Sequence, residues 1–249
     1  SESGMETQTM ITLGMTDYAT SPAVVVHELA HHWWGDDVTP SDWRDVWMNE
    51  GMAMYLQGMW EAEQEDYTLE QLMDYWASFE DEERAAAGPP ADYDPATFGE
   101  SNIYYGPALM WHELRRDLGD ELFLELVRAW PAEHQNATSS YDEITAWWSE
   151  RSGRDLAGFF DDWLLGETTP PRGECRRLPE SPAGRGLLRL SGVATPTKCG
   201  RRLTSPSRWR PRCAAMAACG SWCWAGRSSS RGRWRSRRPR AGTTSPPPA

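Results

Sequence analysis

The sequence predicts an α+β fold that is mostly helical, followed by a C-terminal segment of different character. Three observations support this prediction. A segment near the N terminus has the alternation of a strand, several segments between residues 21 and 166 have helical periodicity with end signals, and the composition changes after about residue 171. We therefore predict a folded region over residues 1–170 and a basic low-complexity segment over residues 171–249, which we expect to be disordered.

The formal charge divides the chain in the same place. The 249 residues have a formal net charge of −12. Residues 1–172 contain 35 acidic residues against 8 arginines and no lysine, whereas residues 173–249 contain 2 glutamates, 16 arginines and 1 lysine. The five cysteines all lie in the second region, at Cys175, Cys199, Cys213, Cys219 and Cys223. Any catalysis by the first region therefore uses neither a disulfide nor a thiol.

The first element is predicted to be a strand over residues 3–13, where β-branched residues alternate from Thr7 onward. A helix is predicted next, because Ser21 can cap its N terminus and Pro22 suits its first turn. We expect this helix to end near Gly35.

The predicted first helix carries the motif His27-Glu28-Leu29-Ala30-His31. Histidines four residues apart lie on the same face of a helix, so their imidazoles can bind one Zn²⁺ ion. Glu28 points to a neighbouring part of the helix surface, from which it can act as the general base on a zinc-activated water. Two core histidines beside a solvated glutamate would be the ordinary structural alternative.

A third zinc ligand is predicted on a second helix that continues through Leu56 and Trp60. Eighteen residues separate His31 from Glu50, which allows a turn and an antiparallel helix that returns Glu50 to the metal. Two histidines, one glutamate and an open position are typical of a hydrolytic zinc site. Asp45 and Asn49 are candidates for hydrogen bonds to a ligating histidine, or for ordinary capping and solvation.

Five further helices are predicted from capping and stop signals. Their expected limits are Thr68 to before Gly88, Ile103 to Gly119, Asp120 to Trp130, Ser140 to Gly153, and Asp155 to Gly166. The acidic run at residues 80–83 is interpreted as a solvated face. Four tryptophans near the motif are expected to pack in the core and in pocket walls, namely Trp33, Trp34, Trp43 and Trp47.

The segments H-E-L-A-H-H-W-W-G-D-D-V-T-P at residues 27–40 and W-R-D-V-W-M-N-E-G-M-A at residues 43–53 resemble the zinc centre of the aminopeptidase N family of gluzincin metallopeptidases. The resemblance runs without a gap from about Val24 to Tyr55 and continues more weakly to about Pro170. It implies a thermolysin-like catalytic fold with one Zn²⁺ per chain on His27, His31 and Glu50. It also implies a peptidase that acts on peptides with a free N terminus.

Two further site residues follow from this resemblance. Glu6 matches the glutamate of a G-x-M-E-N type segment, which binds the substrate's α-amino group, although Ser3 and Thr7 differ from that pattern. Tyr104 matches a tyrosine that stabilises the oxyanion of the tetrahedral intermediate, with Tyr105 as the second choice. The structural alternatives are an exposed strand carboxylate for Glu6 and aromatic packing for the tyrosines.

The sequence therefore leaves three possible functions. The first is a zinc aminopeptidase, in which Glu28 and Tyr104 are catalytic and Glu6 binds substrate. The second is a zinc endopeptidase or other zinc hydrolase without amine anchoring. The third is a catalytically silent fragment with a basic nucleic-acid-binding segment, although the composition of residues 171–249 is better explained by translation out of frame. We expect no nucleic-acid partner, no membrane segment and no recognisable signal peptide.

Overall fold

The computed structural model describes residues 3–97, 100–173 and 178–179. Within these residues there are seven α-helices and four short strands, which agrees with the predicted helix-rich fold. In chain order the elements are β1 (Gly4–Met5), β2 (Thr12–Leu13), α1 (Pro22–His31), β3 (Val38–Pro40), α2 (Trp47–Gln64), α3 (Leu69–Ala87), α4 (Tyr105–Leu118), α5 (Asp120–Glu133), β4 (Ala137–Ser139), α6 (Tyr141–Ser152) and α7 (Ala157–Leu164). Short 3₁₀ helices cover Trp43–Asp45, Pro95–Thr97 and Ser101–Ile103.

The basic segment predicted at residues 171–249, with its five cysteines, lies outside the described residues except for positions 171–173 and 178–179. In the part of the chain that the structure covers, no helix has both the length and the apolar character needed to cross a membrane.

The N-terminal segment forms a hairpin, so the single strand predicted over residues 3–13 is wrong. β1 and β2 pair antiparallel, with Gly4 opposite Leu13 and Met5 opposite Thr12. The backbone N–H of Thr7 donates to the carbonyl of Met10 at 3.0 Å, and the N–H of Met10 donates back at 3.1 Å. A lone strand would leave its backbone groups without partners, and the reversal between Thr7 and Met10 supplies them.

A second pair of strands was not predicted. β3 and β4 are parallel, with Val38 opposite Ala137 and Pro40 opposite Ser139. Each strand has only three residues, too few for the alternation that identifies a strand in sequence. The pair connects the segment after α1 to the segment before α6.

The predicted capping boxes are confirmed at the starts of α3 and α6. Thr68 Oγ1 accepts from Gln71 N at 3.2 Å, and the Gln71 side chain accepts from Thr68 N at 2.8 Å. Ser140 and Glu143 make the same reciprocal pair. Each box satisfies donors at a helix N terminus that have no partner within the helix, which explains why these limits could be predicted locally.

Helix α4 lies at the centre of the core and packs against α2, α3, α5 and α7. Its residues from Gly106 to Leu114 are all buried, as expected of a helix surrounded by other elements. Trp111 contacts the rings of Trp34, Trp47 and Trp148, and its centroid lies 5.0 Å from that of Trp148. The core is therefore a cluster of indoles around one central helix.

Two interpretations of surface and core residues are wrong. Trp33 and Trp43 are 57% and 58% exposed, whereas Trp34 and Trp47 are buried as predicted. In the acidic run at residues 80–83, Glu80 is fully buried. Tertiary packing decides these positions, because exposed and buried residues can have the same local sequence pattern.

Helices α2 and α4 approach each other closely at Gly51. A Cβ atom at this position would overlap the ring of Pro107. We expect Gly51→Ala to lower the free energy of unfolding by about 1–3 kcal/mol, because overpacking forces neighbouring backbone to move. Urea denaturation followed by tryptophan fluorescence measures this change.

The matched control is Gly158→Ala in α7, where an added Cβ has no atom within 4 Å. This control is expected to leave stability unchanged or to raise it by up to about 1 kcal/mol, because alanine favours the helix. Equal unfolding midpoints for Gly51→Ala and Gly158→Ala would contradict the close approach of α2 and α4.

Candidate metal centre

Helix α1 presents both histidines of the motif to the interior. Ser21 Oγ accepts from Val24 N at 3.4 Å, and Pro22 is the first helical residue, as predicted. The helix ends at His31, four residues before the predicted end near Gly35. Gly35 has a φ of +143° and lies against the carbonyl of His31, so the glycine serves the turn that follows the helix.

Packing of α1 against α2 brings the three predicted ligands together. His27 Nε2 and His31 Nε2 lie 3.1 and 3.2 Å from Glu50 Oε2, and the two nitrogens are 3.0 Å apart. All three residues are buried. The structure therefore places one carboxylate and two imidazoles around a common point.

This donor set fits a zinc ion. A tetrahedral Zn²⁺ with nitrogen and oxygen ligands at about 2.0–2.2 Å holds those ligand atoms roughly 3.3–3.5 Å apart. The observed separations of 3.0, 3.1 and 3.2 Å are within a few tenths of an ångström of that value. Two histidines and one carboxylate also leave a fourth tetrahedral position for water or substrate.

The three side chains strongly shift one another's pKa values. Burial would raise the pKa of Glu50, but the two imidazoles outweigh burial and hold this pKa well below its usual range. Burial lowers the pKa of His27. Burial also tends to lower the pKa of His31, yet the charge of Glu50 and its hydrogen bond raise it to about 9. A carboxylate that stays ionised is suited to binding a cation.

The outer partner of His31 is neither of the two residues that the sequence indicated. His31 Nδ1 lies 3.1 Å from the carbonyl oxygen of Trp34. Asp45 Oδ2 instead accepts from the backbone N–H of Tyr141 at 3.0 Å, and the Asn49 side chain lies near Gly35. A backbone carbonyl carries no signature in sequence, so this contact could only be found in the structure.

Glu28 lies beside the cluster, under the backbone of β1. A Cβ atom at Gly4 would overlap the Glu28 carboxylate in its present position, so glycine leaves room for this side chain. Glu28 is 6% exposed, and burial is the main reason that its pKa rises to about 7. Donor atoms of Glu6, Glu28 and His31 all lie within 4.8 Å of one another, which places the half-buried Glu6 at the same site.

The two candidate tyrosines point in different directions. The ring centroid of Tyr104 lies 6.0 Å from that of His27. Burial, with the nearby carboxylates, holds the pKa of Tyr104 well above its ordinary value, so the phenol stays protonated. Tyr105 instead packs on Trp76 and Phe79, with centroids 5.5 and 4.9 Å away. Only Tyr104 of this pair has its ring against the histidine cluster.

Comparison with known families gives one match that covers most of the chain. The Peptidase family M1 domain matches residues 4–163. The chain is 31% identical over 160 residues to aminopeptidase N of Lactococcus lactis subsp. lactis and 28% identical over 158 residues to aminopeptidase N of Streptomyces lividans. These alignments cover 57% and 59% of this chain but 18% of each relative, so the chain spans about a fifth of their length.

Solved structures of similar fold include an M1 zinc metallopeptidase from Deinococcus radiodurans. A mutant of that protein bound to a Tyr-Ser-Ala substrate has 25% identity and a TM-score of 0.58, and the match covers 69% of this chain and 39% of that one. The same metallopeptidase without a mutation has 28% identity and a TM-score of 0.55, with 64% and 37% covered.

Proposed function

The chain belongs to peptidase family M1, and from this premise we propose that it is a zinc metallopeptidase that removes N-terminal residues from peptides. The observation that carries the proposal is the buried cluster of His27, His31 and Glu50 with the Glu28 carboxylate beside it. A structural zinc site would have four protein ligands, whereas this cluster has three and a neighbouring base.

One Zn²⁺ per chain would be held by His27, His31 and Glu50. When bound, the ion would supply Lewis acidity that polarises water and the scissile carbonyl. The protein contributes a donor set whose three atoms are already gathered within 3.2 Å of one another. Buried side chains on two packed helices lose little further freedom when they take up an ion.

Glu28 acts as general base and then as general acid. Its carboxylate removes a proton from the attacking water and later gives that proton to the leaving amine. Burial beneath β1 raises the pKa of Glu28 to about 7. A group whose pKa lies near the working pH can both accept a proton and give it back. Gly4 allows the backbone of β1 to lie against this carboxylate, which limits the orientations that it can adopt.

Tyr104 stabilises the developing oxyanion. Its phenol donates its O–H to the carbonyl oxygen of the scissile bond, where negative charge accumulates as water adds. The raised pKa of Tyr104 keeps that proton in place. This contact strengthens as the charge grows, so it favours the transition state over bound substrate.

Glu6 restricts cleavage to the first residue by binding the substrate's α-ammonium group. Its carboxylate lies within 4.8 Å of donor atoms of Glu28 and His31, so an ammonium held there would place the first peptide bond near the general base. The naming of the bacterial relatives as aminopeptidase N supports this assignment.

The test of the proposal compares peptides that are identical except for an N-terminal acetyl group. We expect free peptides to be cleaved and acetylated peptides to be resistant, with Glu6→Gln lowering kcat/KM for free peptides by about 10- to 100-fold through loss of a charge-assisted contact. Glu63→Gln, which changes an exposed carboxylate on α2, is the matched control and is expected to have no effect.

Equal cleavage of free and acetylated peptides would remove the role of Glu6 and favour an endopeptidase. Absence of zinc from the purified protein, together with salt-sensitive DNA binding, would instead favour a catalytically silent protein with a nucleic-acid-binding segment.

A further inference from the structure

A fully buried ion pair lies in α3, on the side that faces α4. Glu80 and Arg84 are 0% and 1% exposed. Arg84 Nε donates to Glu80 Oε1 at 2.9 Å, and Arg84 Nη2 lies 2.8 Å from the same oxygen. Burial raises the pKa of Glu80, and the Arg84 guanidinium opposes that rise. An unpaired charge in the interior would strongly destabilise the fold, so each of these two residues requires the other.

The two charges are directed at the ends of two different helices. The Glu80 carboxylate lies against Gly106 in the first turn of α4, so closely that a Cβ atom there would overlap it. Arg84 Nη1 donates to the carbonyl oxygens of Trp163 and Gly166, at 3.0 and 2.7 Å, at the C-terminal end of α7. An anion at a helix N terminus and a cation at a C terminus are both stabilised by the helix dipoles.

The same face of α3 also contacts Tyr105, the residue between Tyr104 and Gly106. The ring of Tyr105 packs on Trp76 and Phe79, which lie about two turns and about one turn before Arg84 along α3. Helix α4 begins without a side-chain cap, so its first turn is held by packing, against α3 through these contacts and against α2 through Pro107. Tyr104 immediately precedes that turn and directs its ring to His27.

We propose that Glu80 and Arg84 are positioning residues for the hydroxyl of Tyr104. The ion pair fixes the first turn of α4 between α3 and α7, and the backbone of that turn sets where the Tyr104 phenol meets the substrate carbonyl. Neither residue touches the metal cluster or the reacting atoms. The inference rests on the function proposed above for Tyr104.

Three variants disturb the pair in different ways. Arg84→Lys keeps the charge but removes the planar group that contacts Glu80 and two carbonyls at once. The double substitution Glu80→Gln with Arg84→Met removes both charges, so no unpaired charge is left in the interior. Gly106→Ala keeps both charged residues but inserts a methyl group into the position of the Glu80 carboxylate, which must shift. Glu82→Gln, an exposed carboxylate on the same helix, is the control.

With zinc content unchanged, we expect the three variants to lower kcat by about 10- to 100-fold with little change in KM, since a misplacement of about 1 Å is that costly. In a Tyr104→Phe background the same changes should alter kcat by less than about twofold, because the hydroxyl through which they act is gone. Equal losses in both backgrounds would show a general structural role and overturn the proposal.

A second measurement needs neither zinc nor activity. 3-Fluorotyrosine incorporated at position 104 gives a ¹⁹F resonance that reports on the environment of this ring in the metal-free protein. We expect this resonance to move in Arg84→Lys and Gly106→Ala and to stay unchanged in Glu82→Gln. An unmoved resonance in all variants would refute the coupling. A wild-type protein without zinc or peptidase activity would refute the proposed function, while this measurement still tests the coupling.

Discussion

Replacing Glu28 with glutamine is expected to lower kcat/KM for peptide hydrolysis by about 10²- to 10⁴-fold, the range that general acid–base groups contribute. Glutamine keeps the size of the side chain beneath Gly4 but has no basic oxygen to accept the proton of water. Because Glu28 is not one of the three clustered ligands, the variant should still bind one zinc ion per chain. Steady-state kinetics with a free-amine peptide, together with zinc analysis, measures both quantities.

Binding of a competitive inhibitor is the control for a correctly formed site. The glutamine variant should bind it about as tightly as the wild type, because the change removes a proton acceptor and leaves the ligands in place. Activity within a few-fold of wild type would exclude Glu28 as the base. Loss of zinc together with activity would mean that Glu28 supports the metal rather than the proton transfer.

The second large effect is expected at Glu50. Glu50→Gln removes the anion that stays ionised between two imidazoles, and we expect zinc affinity to fall by more than about 100-fold, since changes outside the ligand set already lower it 10- to 100-fold. Peptidase activity should fall with it. Zinc retained after dialysis, measured by elemental analysis, gives the binding result directly.

The matched control is His134→Gln, which changes a histidine whose Nδ1 lies 2.8 Å from the Trp130 carbonyl, away from the cluster. This variant should keep its zinc. In the wild type, a chelator should abolish activity and added Zn²⁺ should restore it, whereas Glu50→Gln should not recover at the same zinc concentration. Full zinc occupancy in Glu50→Gln would contradict the proposed ligand set.

The elements that the sequence predicted well are those set by local signals. The spacing of His27 and His31 puts two imidazoles on one helical face whatever surrounds the helix. The capping boxes at Thr68 and Ser140 also depend on residues three positions apart. For Glu50, the eighteen-residue spacing from His31 allows an antiparallel helix that returns it to the metal, and the family resemblance implies the same ligand. Its place beside α1 itself follows from tertiary packing.

The features that were missed depend on distant parts of the chain. Glu80 was interpreted as solvated because its neighbours are acidic, although Arg84 four residues later is a helical partner that sequence could have indicated. Whether that pair is buried depends on α4 and α7, which arrive later in the chain. The pairing of β3 with β4 joins residues about a hundred positions apart, beyond any local pattern.

The indole cluster around Trp111 has a consequence for how its members absorb and emit ultraviolet light. Ring centroids 5.0 to 6.2 Å apart, among Trp34, Trp47, Trp111 and Trp148, are close enough for excitation to pass from ring to ring before emission. Light absorbed by this group will therefore be emitted strongly depolarised, from whichever of its indoles has the lowest excited state. The near-ultraviolet circular dichroism should likewise show coupled transitions rather than a sum of independent chromophores.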